Sequence, residues 1–187
     1  MKLSIQNISK TYDNGVEALK DVNLEIGNGM FGLLGPNGAG KSTLMRTIAA
    51  LQDADNGSIT VGEIDVAQEK QALREILGYL PQEFGVYPKI SAHDLLDHMA
   101  VMKGITDTKQ RKEVVESLLH QTNLREAKDQ KLGTYSGGMK QRFGIAQALI
   151  GDPKLIIVDE PTAGLDPMER NRFHNLLSEI GENVIVI

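Results

Sequence analysis

The stretch that decides the fold is Gly35-Pro36-Asn37-Gly38-Ala39-Gly40-Lys41-Ser42-Thr43. It fits the phosphate-binding pattern G-x-x-x-x-G-K-[ST] at every position. The apolar run at residues 30–34 predicts a buried strand before it, and apolar residues at helical spacing within residues 43–51 predict a helix after it. Strand, loop and helix in this order are the context that the pattern requires. We therefore predict a phosphate-binding loop rather than a glycine-rich turn that matches by chance.

The residue types in this loop suit phosphate binding. Its three glycines permit backbone conformations that other residues avoid and bring N–H groups against phosphate oxygens. The start of the following helix adds its positive dipole end. Lys41 is predicted to reach the β- and γ-phosphates and assist catalysis, while the Ser42 hydroxyl takes one position on Mg²⁺. The predicted nucleotide-binding residues of the loop are Gly35, Asn37, Gly38, Ala39, Gly40, Lys41, Ser42 and Thr43.

The composition argues against several classes of protein. Lys and Arg number 20 against 25 Asp and Glu, giving a net charge of -5, whereas nucleic-acid-binding domains usually have the opposite balance. No apolar stretch approaches the roughly 20 residues of a membrane span, and the N-terminus lacks a secretory apolar region. The absence of cysteine excludes disulfides and thiolate chemistry. We expect one cytosolic domain that binds no nucleic acid.

Hydrophobic patterns divide the chain into two kinds of segment. Alternation at residues 3–8 and 22–26, with turns between, predicts an antiparallel β layer at the N-terminus. Helical patterns fill residues 83–150, whereas continuous apolar runs typical of buried strands lie at residues 76–80, 155–158 and 184–187. The predicted fold is α/β, with a mainly parallel sheet in a core lobe at residues 1–82 and 151–187 and an inserted helical subdomain at residues 83–150.

Two adjacent carboxylates, Asp159 and Glu160, follow the apolar run at residues 155–158. Carboxylates at the end of a buried parallel strand are costly unless a ligand uses them, and this end of a strand is where α/β sheets bind ligands. Asp159 is of the right type to hold Mg²⁺ directly or through water, and Glu160 to deprotonate an attacking water. The alternative is the start of a solvated loop.

Tyr12 lies on the first connection between predicted strands. An aromatic side chain there can stack on a purine base. The local sequence favours this interpretation no more than an ordinary tyrosine at the end of a strand.

Ser136-Gly137-Gly138 precedes a predicted helix with an apolar stripe. A serine at this position is typical of a helix N-cap, and the helix start also offers N–H groups to an anion. Local sequence alone supports no more than the cap.

The order of these motifs resembles the ATP-binding subunit of ABC transporters over residues 12–187. The order is phosphate loop, glutamine after a strand, helical insert, Ser-Gly-Gly helix, Asp-Glu strand end and the loop Ala163-Gly164-Leu165-Asp166. The resemblance implies a P-loop NTPase fold with ATP and Mg²⁺ as cofactors. It also implies an ATPase that drives transport.

The same resemblance implies roles for individual residues. Tyr12 stacks on adenine, Gln82 contacts the metal and the attacking water, and Asp166 crosses to a partner subunit. Ser136, Gly137 and Gly138 bind the γ-phosphate of ATP held by a second copy. ATP would then be sandwiched between two head-to-tail domains, which part after hydrolysis.

Two departures from the family are visible. The family signature usually reads Leu-Ser-Gly-Gly-Gln, whereas this chain has Tyr135 before and Met139 after the Ser-Gly-Gly, so we expect altered packing at its flanks. The family also places a switch histidine just after the strand that corresponds to residues 184–187, where this sequence stops. We therefore expect a truncated domain that binds Mg-ATP but hydrolyses it weakly.

The predicted function is that of the motor subunit of a transporter, peripheral at the cytoplasmic face of the membrane through a separate permease. Residues 35–43 and 80–88 are most similar to those of exporters, and a permease helix is expected to dock near residues 82–90. A homodimer is expected. An alternative is a soluble ABC ATPase of DNA repair or translation, although residues 42–136 hold no long coiled-coil insert. A P-loop kinase would leave Ser136 and Asp166 unexplained, and an ATP-gated dimerisation module with little hydrolysis stays open.

Overall fold

The computed structural model describes residues 1–81, 85, 87–159 and 167–187. It consists of two four-stranded sheets with helices between and around them. The strands are β1 (Leu3–Thr11), β2 (Glu17–Ile26), β3 (Gly29–Met30), β4 (Asn56–Val61), β5 (Ile64–Asp65), β6 (Leu77–Leu80), β7 (Leu155–Val158) and β8 (Ile185–Val186). The helices are α1 (Lys41–Ile48), α2 (Lys70–Ile76), α3 (Ala92–Met102), α4 (Thr108–Gln121), α5 (Gly137–Ala148) and α6 (Pro167–Gly181).

The N-terminal sheet is antiparallel, with strand order β2-β1-β4-β5. Leu3 pairs with Ile26 on one side and with Val61 on the other, which fixes the register of the central strand β1. Alternate residues of β1 such as Leu3 and Ile5 are almost fully buried, as the period of two requires for a sheet with one covered face. The predicted antiparallel layer is confirmed.

The second sheet is parallel, with strand order β3-β8-β7-β6. All four residues of β7 are buried, because helices or the other sheet cover both faces, and this explains its unbroken apolar sequence. Since the strands are parallel, the carboxyl ends of β3, β6 and β7 lie at the same edge of the sheet. That edge carries the segments that the sequence marks for chemistry.

Helix α1 packs between the two sheets. Leu44, Met45 and Ile48 of α1 join a core that contains Ile5 of β1 and Ile157 of β7. The helix starts two residues before the predicted range of 43–51 and ends earlier, because Ala50 adopts a left-handed φ of 53° that stops it. Leu51, predicted to lie on the apolar face of this helix, is instead 61% exposed.

The prediction of a buried strand at residues 30–34 is wrong except for Met30, the last residue of β3. Strand β3 ends at Met30, and a further backbone bond joins the Phe31 N–H to the Val186 carbonyl. The chain then leaves the sheet toward the phosphate loop, and Leu34 is 96% exposed. In the described part of the chain β3 pairs with β8 only, so it is an edge strand there and its apolar residues are partly uncovered.

Helices α3, α4 and α5 share a hydrophobic cluster of their own. Its members Leu96, Val115, Leu119 and Phe143 are fully buried. Side-chain caps start all three helices: the oxygens of Ser91, Asp107 and Ser136 accept bonds from N–H groups three residues later. The predicted N-cap at Ser136 is confirmed.

The end of α5 also packs against the core. A Cβ atom on Gly78 of β6 would lie 2.1 Å from the backbone oxygen of Ala148, so only glycine permits this approach. Ile145 and Ala148 join a second core cluster with Ile156 of β7 and Leu177 of α6. The division into a core lobe and a helical subdomain at residues 83 and 150 stays a proposal.

Gly78→Ala tests this contact. The added methyl group must push β6 away from α5, and we expect the free energy of unfolding to fall by about 2–3 kcal/mol. Gly27→Ala is the control, because a Cβ atom at Gly27 meets nothing within 4 Å, and we expect it to change stability by less than about 0.5 kcal/mol. Urea unfolding followed by circular dichroism measures both. Equal stability of the two variants would contradict the proposed close packing.

Candidate nucleotide-binding site

The phosphate loop connects β3 to α1 at the carboxyl edge of the parallel sheet. Gly38 and Gly40 adopt left-handed φ angles of 83° and 87°. A Cβ atom on Gly40 would also lie 2.3 Å from the Ala18 carbonyl oxygen. Both the backbone conformation and the lack of space therefore require glycine at this position. Gly35 differs from the expectation because its φ is not left-handed, and a Cβ atom there would instead crowd the Ala39 methyl group at 3.2 Å.

Lys41 is the first residue of α1 and folds back over the loop. Its Nζ donates to the carbonyl oxygens of Gly35 at 2.7 Å and Pro36 at 3.0 Å. The ammonium group thus lies against the loop that leads into α1. A helix N-terminus and a lysine at one loop make a site for an anion.

Asp159 follows β7 directly and is 4% exposed. Its backbone N–H donates to the Leu80 carbonyl oxygen at 2.9 Å, which continues the pairing of β7 with β6 beyond the strands. Its carboxylate oxygen Oδ1 lies 3.4 Å from the Ser42 hydroxyl, which donates to it. The sheet therefore brings Asp159 and Ser42 together, although 117 residues separate them.

The Asp159 carboxylate and the Ser42 hydroxyl suit a magnesium ion whose other ligands are phosphate oxygens and water. Mg²⁺ binds through one or two carboxylates together with substrate phosphates and water. In the described ranges no group of three His, Asp or Glu side chains is placed to hold a metal ion without such help. The buried carboxylate of Asp159 and the hydroxyl of Ser42 supply oxygen ligands beside the phosphate loop.

Tyr79 of β6 is a neighbour of Asp159 that the sequence analysis missed. Burial, and then the negative charge of Asp159, raise the pKa of its phenol, whereas Arg46 of α1 opposes this shift. The phenol therefore stays protonated well above neutral pH. In the sequence, the one sign of this role is its position near the end of the apolar run at residues 76–80.

A cavity of about 480 Å³ lies over the phosphate loop. Its walls include Tyr12, Val16 and Ala18 from the connection and start of β2, with Lys41 and Thr43 of α1. The Tyr12 hydroxyl contacts the Thr43 hydroxyl at 3.2 Å and donates to the Gln52 side chain at 3.2 Å. The structure therefore places Tyr12 in the wall of the same cavity as the loop. It also shows that Tyr12 bonds to Gln52, a residue that the sequence did not single out.

Residues 19–163 match the family described as ABC transporter. The chain belongs to the ABC transporter family. Its fold is that of the family's ATP-binding cassette, a P-loop NTPase with an antiparallel sheet, a parallel sheet and helices.

Two relatives and one solved structure illustrate the similarity. The linearmycin resistance ATP-binding protein LnrL of Bacillus subtilis is 38% identical over 186 residues, which are 99% of this chain and 59% of LnrL. The phosphonates import ATP-binding protein PhnC 1 of Rhodopseudomonas palustris is 36% identical, over 95% of this chain and 68% of that protein. The ATP-binding cassette MJ0796, in a dimeric post-hydrolysis state bound to ADP and Pi, matches with a TM-score of 0.87 and 29% identity, over 98% of this chain and 86% of that one.

The ABC signature segment lies away from the cavity. Ser136 caps α5 by accepting from the Met139 N–H at 3.2 Å, which confirms the cap. Ser136 and Gly137 are exposed, and a Cβ atom on Gly137 would meet nothing within 4 Å. Neither lines the cavity over the phosphate loop. Their surface is therefore open to another molecule.

Three predicted site residues, Gln82, Glu160 and Asp166, lie outside the described residues. Their roles stay predictions. In the described part of the chain, no helix is both long enough and apolar enough to cross a membrane.

Proposed function

We propose that the chain binds Mg-ATP and hydrolyses it as the motor part of a transporter. One observation carries the proposal: the Ser42 hydroxyl lies 3.4 Å from the buried Asp159 carboxylate at the edge of the sheet that holds the phosphate loop. This arrangement offers a positive loop for phosphates and oxygen ligands for their counter-ion side by side. Membership of the ABC transporter family supports it.

The proposed roles follow from the chemistry of each group. The loop N–H groups and Lys41 bind the phosphate oxygens, and Mg²⁺, when bound, neutralises part of the phosphate charge. Glu160, next to Asp159 in sequence, accepts a proton from water while the water oxygen bonds to the γ-phosphorus. The bond from that phosphorus to the β,γ-bridging oxygen breaks, and ADP leaves. Gln82, which follows β6, contacts the metal and orients the water.

The proposed active form is a head-to-tail dimer. Ser136, Gly137 and Gly138 begin a helix whose N–H groups and capping hydroxyl suit an anion, and Ser136 and Gly137 are exposed. We propose that they bind the γ-phosphate of ATP on a second cassette, with Asp166 at the same contact. ADP lacks this phosphate and would not bridge the two copies, so ATP alone favours the closed dimer. The dimeric MJ0796 structures are consistent with this proposal.

The proposed partner is a separate transmembrane permease, which would hold the chain at the cytoplasmic face of the membrane. Tyr87 lies between β6 and α3 and is 72% exposed, which suits a docking surface. Phe84 and Val86, two further apolar residues of the segment 82–90, lie outside the described residues. The transport direction that we propose is export, because the resistance protein LnrL matches slightly better than the import protein PhnC 1.

Solution mass tests the dimer. Glu160→Gln removes the proposed base and keeps ATP intact, so we expect light scattering to give twice the 20.4 kDa of one chain with Mg-ATP and a single chain with Mg-ADP. Adding Ser136→Asp should prevent the doubling. Aspartate retains a capping oxygen but repels the γ-phosphate.

Ser91→Asp is the matched control for this experiment, because Ser91 caps α3 in the same way. It should leave both the mass increase and the melting temperature unchanged. Doubling with ADP as strongly as with ATP, or doubling despite Ser136→Asp, would contradict the proposed role of Ser136.

Tyr87→Asp tests the docking surface. A carboxylate cannot be buried cheaply against a permease, so we expect this variant to be lost from membranes that retain the unmodified chain, and to lose transport. Tyr87→Phe keeps the ring and should behave as the unmodified chain does. Measured sedimentation with membranes that is equal for Tyr87→Asp and Tyr87→Phe would refute docking through this residue.

A further inference from the structure

Gln52, in the connection between α1 and β4, uses both ends of its side chain within the site. Its Nε2 donates to the Thr43 carbonyl oxygen at 3.1 Å and to the Thr47 hydroxyl at 3.0 Å. Its Oε1 accepts from the Tyr12 hydroxyl at 3.2 Å. Gln52 therefore links helix α1 to the side chain of Tyr12.

Hydrogen-bond chemistry determines the direction of each bond. The Thr43 carbonyl oxygen can only accept, so the amide end that faces it must be the NH₂ group. The Thr47 hydroxyl donates to that carbonyl at 2.8 Å and so offers a lone pair to the same NH₂ group. The amide oxygen is left for Tyr12. Because the Tyr12 proton goes to Gln52, the Thr43 hydroxyl donates to the Tyr12 oxygen in turn.

The backbone of Tyr12 has a separate anchor. Asp55, three residues after Gln52, accepts from the Thr11 N–H at 2.6 Å and pairs with Lys10 at 2.6 Å. The Tyr12 N–H also donates to the Val16 carbonyl oxygen at 2.9 Å. The loop that carries Tyr12 therefore does not depend on Gln52, which orients the side chain alone.

We propose that Gln52 is a positioning residue that selects ligands with an aromatic base attached to the phosphates. Gln52 is not among the residues that line the cavity. It acts through Tyr12, a residue that is 36% exposed and forms part of the cavity wall beside the phosphate loop. Holding the ring before the ligand arrives removes the entropy cost of ordering it on binding. This inference rests on the proposed nucleotide binding.

Gln52→Met tests the proposal, because methionine keeps the length of the side chain and removes both polar ends. The Thr43 carbonyl oxygen still accepts a hydrogen bond from the Thr47 hydroxyl, so the substitution does not leave it without a donor. Calorimetric titration with ATP and with inorganic tripolyphosphate, which has no base, separates the base from the phosphates. We expect ATP affinity to fall about five- to tenfold, as for loss of one to two neutral hydrogen bonds, with tripolyphosphate affinity unchanged.

Tyr12→Phe provides a second variant that leaves Gln52 in place. We expect a loss of ATP affinity similar to that of Gln52→Met, and no further loss in the double variant, because both changes break the same link. Gln68→Met, at an exposed glutamine of the same lobe, should leave both affinities as they are.

Three results would overturn the proposal. ATP affinity that is unchanged in both variants would show that the ring needs no anchor. A fall in tripolyphosphate affinity equal to the fall for ATP would show that Gln52 acts on the phosphate loop instead of on Tyr12. If the unmodified chain binds neither ATP nor tripolyphosphate, the proposed function itself fails, and the positioning role fails with it.

Discussion

The packing of α1 between the two sheets is the contact on which the rest of the site depends. Leu44, Met45 and Ile48 are buried between β-strands of opposite sheets, so the helix cannot slide without exposing them. This burial aims the N-terminus of α1 at the carboxyl edge of the parallel sheet. The apolar residues of α1 therefore fix the position of the polar groups at its first turn, which include Ser42.

The helical part of the chain is joined to the start of β6 by two close contacts. The end of α5 lies against Gly78 of β6, and the start of the same helix carries Ser136. At the end of α3, Lys103 donates to the carbonyl oxygens of Arg74 and Leu77, and burial lowers the pKa of its ammonium group. Both contacts reach β6, the strand that ends two residues before Gln82.

Much of this architecture could be predicted from local sequence patterns. The glycine and lysine spacing of the phosphate loop, the caps at Ser91 and Ser136 and the unbroken apolar sequence of β7 each report a local constraint. These patterns could not predict the strand order β3-β8-β7-β6. An apolar run indicates a strand but does not indicate whether that strand lies in the middle or at the edge of a sheet. For the same reason residues 30–34 were wrongly expected to be buried.

Within the site, the sequence identified the residues of the phosphate loop but not the residues that pack around it. Tyr12 was ambiguous because its partners Thr43 and Gln52 are distant in sequence, and only the fold brings them within hydrogen-bonding distance. Tyr79 was missed because its neighbour Asp159 lies on another strand. Long-range contacts of this kind leave no local pattern.

We propose that Ser42 and Asp159 hold the magnesium ion that accompanies ATP at the phosphate loop. Calorimetric titration with ATP, in magnesium and in EDTA, tests it most directly on the unmodified chain, Asp159→Asn and the exposed control Asp152→Asn. We expect magnesium to strengthen ATP binding by about tenfold or more in the unmodified chain and in Asp152→Asn, and we expect Asp159→Asn to lose this gain. A full magnesium effect in Asp159→Asn, or no ATP binding by the unmodified chain, would contradict it.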